Sequence, residues 1–153
     1  MTTTARIQKL REALAECNIE GLITSRRENV SYFTHLSMEA ILLITSSRCF
    51  VITPLMYEEE AELLDTSWEL ITAKHTLIEE AGQIMGQLPI TVWGYEPEHL
   101  SHAAWEKLQK SSNSTLKPVS AIVDSLRARK EPQELKLLQK ARSISIAALG
   151  HIE

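Results

Sequence analysis

Apolar residues recur at steps of three and four between Arg6 and Cys17, where Ile7, Leu10, Leu14 and Cys17 share one side. That spacing predicts an amphipathic helix with Thr4 as its N-cap. Gly21-Leu22-Ile23-Thr24 predicts a short buried strand, and Arg27 to Phe33 a brief helix ending near Thr34. Two apolar runs, Ala40 to Thr45 and Cys49 to Thr53, flank the polar turn Ser46-Ser47-Arg48, the layout of an antiparallel hairpin. Pro54 then opens a predicted helix from Leu55 to Leu64, followed by a strand from Trp68 to Ala73 and a helix from Leu77 to Leu88 that Pro89 closes. Ile90 to Trp93 predicts a strand ending at Gly94, and Pro97 introduces a helix from His99 to Gln109. After the polar run Ser111 to Thr115 come a last strand, Leu116 to Val119, and a short helix, Ala121 to Leu126. Strands that alternate with helices predict a three-layer α/β/α domain on a mixed, mostly parallel sheet, with one hairpin strand running against the rest.

The tail is a long helix of a different kind. Pro132 suits a first helical turn, and Glu131 and Glu134 put negative charge near the positive helix end. Nothing breaks the helix from there until Gly150. At about 100° per residue, Leu135, Leu137, Leu138, Ala141, Ile144, Ile146, Ala148, Leu149 and Ile152 sweep an arc of roughly 200°. That is about twice the stripe a helix needs on a single core. One face is expected to pack on the preceding domain, and the surplus requires a second surface.

Composition narrows the classes. With 153 residues, 44% of them apolar and 24% charged, the chain has the make-up of one globular domain with a sizeable core. A net charge of −4 gives no electrostatic footprint for nucleic acid, and Arg127, Arg129 and Lys130 read as a short solvated cluster. Cys17 and Cys49 are unclustered, which fits buried thiols in a reducing cytoplasm better than a disulfide framework. No leader pattern or run of about 18 apolar residues occurs, so no membrane association is expected.

Candidate chemistry is sparse. The only aspartates are Asp65 and Asp124, and Gly21, Gly82, Gly86, Gly94 and Gly150 form no phosphate-cradling loop. The Gly82 to Gly86 spacing resembles a membrane-helix dimer motif but falls in an amphipathic segment, and carries no weight on sequence grounds. His99 and His102, with Glu98 and Glu106 nearby, are spaced to converge on a metal if they share a helix, and His75 with Glu79 forms a second such pair. Neither has an evident third ligand, so a solvated helix face is the expectation for both, with no metal site and no catalytic group in this chain.

A set of short motifs changes the picture when taken in order. They are Arg6 to Leu10, Gly21 to Ser25, Asn29-Val30-Ser31-Tyr32-Phe33-Thr34, Val51 to Pro54, Trp93-Gly94-Tyr95-Glu96, and Leu126-Arg127 with Lys130, Pro132 and Glu134. Together they resemble the N-terminal domain of the creatinase/prolidase ("pita-bread") metallopeptidases, most like Xaa-Pro dipeptidases and aminopeptidase P. The resemblance implies a ribonuclease H-like α/β fold over residues 1–126, with residues 127–153 as a junction and helix leading toward a C-terminal catalytic domain. It implies no cofactor in this chain, and two divalent metals of the Mn, Co or Zn type in that catalytic domain. The implied partners are the catalytic domain, a second copy in a homodimer and a peptide substrate, with no nucleic acid and no membrane.

The resemblance also marks a loop. In some relatives a loop of this domain reaches into the neighbouring subunit's cleft, and here it maps onto His35, Leu36, Ser37 and Met38. Relatives usually carry glycine after the threonine. His35 stands there instead, one of the few side chains that tolerate a positive φ. The expected role is a non-catalytic domain that shapes substrate access and supports dimerisation. The alternative is an interaction module of a relative that has lost catalysis.

Overall fold

The computed structural model describes residues 3–119 and 121–151. The last two residues of the tail helix predicted above, Ile152 and Glu153, lie outside the described residues.

Six strands carry the architecture: β1 (Gly21–Thr24), β2 (Ile41–Thr45), β3 (Cys49–Thr53), β4 (Glu69–Thr72), β5 (Val92–Tyr95) and β6 (Thr115–Pro118). They form one sheet in the order β4-β3-β2-β1-β5-β6. The β1–β2 and β2–β3 pairs are antiparallel and the β1–β5, β3–β4 and β5–β6 pairs are parallel. β2 therefore runs against the other five, as the hairpin predicted. β1, β2 and β3 are buried along their whole length, which is why they read as continuous apolar runs rather than alternating ones.

Helices cover both faces. On one face α1 (Thr3–Glu16), α2 (Arg27–Thr34) and α6 (Ile122–Ala128) close a core containing Ile7, Leu10, Phe33, Leu42, Val51 and Val123. On the other, α4 (Leu77–Gln87) and α5 (His102–Ser112) cover Leu43, Phe50, Ile52 and Trp93. The three-layer α/β/α class holds.

Boundaries differ where local chemistry overrides the apolar period. α1 begins at Thr3, so Thr4 lies inside the first turn and is not the N-cap. Asn18, at φ 54°, ends that helix. Its N–H donates to the Ala15 carbonyl and that of Ile19 to Leu14, the paired bonds of a Schellman ending. Cys17 sits at this exposed end, contrary to the expectation of two buried thiols, whereas Cys49 is buried in β3. The helix predicted over Leu55 to Leu64 is broken up: a 3-10 turn (Leu55–Tyr57) leads into the single α-turn of α3 (Glu58–Ala61), and further turns run to Leu64. α5 starts at His102, because the Ser101 hydroxyl accepts from the Ala104 N–H at 3.2 Å. The segment after Pro97 makes only a turn, with the His99 N–H on the Glu96 carbonyl at 3.1 Å. Ser111 and Ser112 belong to α5, which Asn113 ends at φ 51°.

Gly82 and Gly86 do have a structural role. They lie on the side of α4 that meets α5, where a Cβ on Gly82 would stand 2.8 Å from the Ser111 Cβ and one on Gly86 2.6 Å from the Ser111 carbonyl oxygen. The pair allows two soluble helices to approach at backbone distance.

The largest departure is α7 (Pro132–Leu149). It starts as predicted, with Pro132 in its first turn and a capping box in which the Glu131 N–H donates to the Glu134 carboxylate at 2.9 Å. It buries no residue, and every position from Leu135 to Gly150 is exposed. The expectation that one face packs on the preceding domain is corrected. The helix leaves that domain at its first turn, and both sides of its apolar arc are bare.

Candidate functional site

The loop singled out in sequence grows from the end of α2. His35 adopts φ 61°, ψ 9°, and its N–H donates to the Ser31 carbonyl at 2.9 Å, ending the helix. The Thr34 hydroxyl donates to the Val30 carbonyl at 2.7 Å and accepts from the Leu36 N–H at 3.2 Å, fixing the turn that follows. Beyond it the side chains divide by burial. Met38 is 0% exposed and Leu36 packs against the same core, so both anchor the loop. His35 and Ser37 are exposed, and Ser37 accepts from Arg27 Nη2 at 3.3 Å. Of the four loop residues, only these two are presented to a ligand or partner.

His35 also lines a cleft of about 450 Å³ with Tyr32, Arg127, Glu131, Glu134 and Leu137. The cleft lies between α2 and the base of α7. Arg6 holds its floor. Its guanidinium, in a residue only 4% exposed, donates to the Tyr32 carbonyl at 2.6 Å and lies 4.3 Å from the centre of the Tyr32 ring. It also pairs with Glu131 at 3.4 Å and Glu134 at 3.3 Å. A charge buried to this degree is tolerated only when paired and hydrogen-bonded, and the two carboxylates come from the N-cap and the first turn of α7. One α1 side chain thus fixes where α7 begins. Burial pushes the Tyr32 hydroxyl above its ordinary pKa, and the Arg6 charge works against that shift.

Arg127 belongs to a second network and not to a solvated cluster. Its Nη1 donates to Asp124 at 3.2 Å and to the Asn29 side-chain oxygen at 3.3 Å. Arg26 Nη1 reaches both Asp124 oxygens, at 2.9 and 3.1 Å. Fully buried Asn29 turns its amide nitrogen onto the two Glu96 oxygens at 2.7 and 2.9 Å, and the Thr24 hydroxyl donates to Glu96 at 2.5 Å. The network joins the ends of β1 and β5 to α2 and α6. Thr24, Asn29, Glu96 and Arg127 belong to four separate sequence motifs. Their contact is what those motifs share, and the uncommon Asn29 inside an apolar helix face was the available signal.

The histidine pairs do not assemble. His99 precedes α5, so it shares no helical face with His102. His102 stacks on Trp105 with ring centres 5.7 Å apart and meets Glu106 at 3.6 Å. Glu79 is taken by Lys107 at 3.2 Å and by the Thr76 cap. Among the described residues no group of three or more His, Cys, Asp or Glu side chains is placed to hold a metal ion. No described helix is long and apolar enough to cross a membrane.

Comparison with known proteins agrees with this geometry. The Creatinase/Prolidase N-terminal domain family matches residues 6–129. The chain is 26% identical over 149 residues to the uncharacterized peptidase YqhT of Bacillus subtilis, covering 96% of this chain and 42% of that protein. It is 28% identical to an Xaa-Pro dipeptidase of Lactobacillus helveticus, covering 88% of this chain and 40% of that one. Among solved structures, an Xaa-Pro dipeptidase from Bacillus anthracis superposes with a TM-score of 0.92 at 26% identity, over 99% of this chain and 43% of that protein. The N-terminal domain of the cytoplasmic peptidase PepQ from Mycobacterium tuberculosis shares the fold, with a TM-score of 0.73 at 20% identity over 80% of this chain and 98% of that one. The chain thus spans about two fifths of the length of the curated relatives it matches.

Proposed function

The chain belongs to the Creatinase/Prolidase N-terminal domain family, and from that premise we propose that it is the non-catalytic N-terminal domain of an Xaa-Pro peptidase. The observation that carries this reading is α7. It is pinned at its base by Arg6 and bare on both sides beyond it, the arrangement expected of a helix that a following catalytic domain covers. In this reading residues 1–126 form the accessory domain and residues 127–153 the junction. Hydrolysis of a peptide at an Xaa-Pro bond belongs to the catalytic domain, and that domain's ligands hold two divalent metals of the Mn, Co or Zn type.

The part played by this chain is positional. The His35–Met38 loop, stiffened by Thr34 and anchored by Leu36 and Met38, presents His35 and Ser37 at the rim of the junction cleft. An imidazole there can accept or donate one hydrogen bond to a bound peptide and narrow the entrance to the active site. A homodimer in the cytoplasm is the expected assembly.

The test measures hydrolysis of Xaa-Pro dipeptides with Mn²⁺, first by the 153-residue chain and then by a protein in which the catalytic region follows α7. The chain alone is expected to be inert. Metal-dependent turnover by it would overturn the assignment. In the longer protein His35→Gly keeps the backbone conformation and deletes the imidazole. A raised KM at unchanged kcat is expected, and unchanged constants would remove the access role.

A further inference from the structure

Among the described residues the exposed large apolar side chains lie in two places whose charges are opposite. One is α7. With about 100° between neighbours, its apolar arc divides into two stripes. Leu137, Ala141, Ile144 and Ala148 form one, and Leu135, Leu138, Ile146 and Leu149 the other, with Arg142 in the middle of the second. From Leu135 to Leu149 the helix carries three basic residues, Lys136, Lys140 and Arg142, and no acidic one. None of the three forms an ion pair among the described residues.

The other place is the run of turns from Leu55 to Leu64. Tyr57, Ala61 and Leu64 point into the core. Leu55, Met56 and Leu63 face outward and are 68%, 78% and 76% exposed. Glu59 and Glu60, which lie between them in sequence, are exposed as well. Residues 55–65 hold five acidic groups and no basic one. The Glu58 carboxylate is occupied by the Thr72 hydroxyl, but the carboxylates of Glu59, Glu60 and Glu62 make no hydrogen bond or ion pair among the described residues.

We propose that the Arg142 stripe of α7 docks on the Leu55–Met56–Leu63 shelf of a second copy of this chain, with Arg142 meeting Glu59 and Glu60. This rests on the homodimer reading above and gives it a surface. Two features select this occupant. Each patch is a set of large aliphatic side chains with unpaired charge of one sign, and the two signs are complementary. Pairing α7 with a second α7 along the same stripe would instead bring the two Arg142 guanidinium groups together inside an apolar seam, where like charges repel most strongly. Exchanged in both directions, the contact closes a two-fold dimer and leaves the Leu137 stripe for the region that follows α7.

Sedimentation equilibrium of the 153-residue chain, between low micromolar and millimolar concentration, tests this. Dimers that weaken with added salt are expected. Arg142→Glu, or Glu59→Lys with Glu60→Lys, should each raise the dissociation constant about three- to tenfold, given the worth of exposed ion pairs. All three changes together should restore it. These positions are exposed, so circular dichroism should be unaltered in every variant. A dimer indifferent to the reversals would overturn this contact and leave the homodimer reading standing. Reversals that weaken association without mutual rescue would also overturn the contact. A chain monomeric throughout the range would remove both.

Discussion

Replacing Gly82 and Gly86 by alanine sets helix propensity against close packing, and the geometry decides the sign. Within α4 a Gly→Ala change should stabilise by about 0.8–1 kcal/mol from propensity alone. Both new methyl groups collide with α5, however. At Gly82 the obstacle is the Ser111 Cβ at 2.8 Å, and at Gly86 it is the Ser111 carbonyl oxygen at 2.6 Å. Forcing a methyl into a packed contact of this kind costs about 1–3 kcal/mol, so each variant should come out between neutral and about 2 kcal/mol less stable. The obstacles differ in one useful respect. The first is a side-chain atom that Ser111→Gly deletes, while the second is backbone that no substitution removes. In a Ser111→Gly background, Gly82→Ala should therefore become stabilising by about 1 kcal/mol, and Gly86→Ala should stay destabilising. Urea unfolding followed at 222 nm reads these differences, and each kcal/mol corresponds to about 2–4 °C in Tm for a chain of this size. Stabilisation by Gly86→Ala, or equal rescue of both variants by Ser111→Gly, would refute the claim that α4 and α5 meet at backbone distance.

Two further outcomes follow from buried and paired groups. Burial pushes the Cys49 thiol up to about 11, while Cys17 is exposed. A thiol reagent at pH 8 should modify Cys17 rapidly and Cys49 only on unfolding, and two fast thiols in the native protein would contradict the placement of β3. Glu69 lies below the usual carboxylate range because Arg48 hydrogen-bonds it, with Nε at 2.7 Å and Nη2 at 2.6 Å. A depressed folded pKa contributes stability above the unfolded value of about 4.3 and loses it as pH falls through the folded value. Glu69→Gln should therefore flatten the acid limb of stability against pH in that window, and an unchanged limb would show the pair to be inert.

Strands β1 to β3 were legible because they are buried on both faces, so hydrophobicity alone marks their ends. The single reversed strand followed from a three-residue polar turn too short for anything but a hairpin. The apolar period starts α5 one turn early because Pro97 fits a first helical turn in isolation, whereas the Ser101 cap that wins is a hydrogen bond that the period does not register. The Asn29–Glu96 contact spans 67 residues and could not be read locally. The apolar arc of α7 was visible in sequence, but its bare state was not, since periodicity shows that a face needs burial without saying what buries it. Likewise the Gly82–Gly86 spacing is visible in sequence, but its use in helix packing depends on α5 lying beside it.

The position of β1 also bears on how the chain is made. Both edges of this strand are filled in the folded protein, one by β2 and the other by β5. Synthesis supplies β2 within about twenty residues of Thr24, but β5 begins only at Val92. At about 5–20 residues per second, the β5 edge of β1 stays open for about 2–10 s after β2 exists. During that interval a strand meant for full burial presents unpaired backbone groups to other nascent chains, the usual template for misassembly. Codon choice between β3 and β5, or a chaperone on the emerging hairpin, should therefore govern soluble yield more strongly than substitutions within the finished fold.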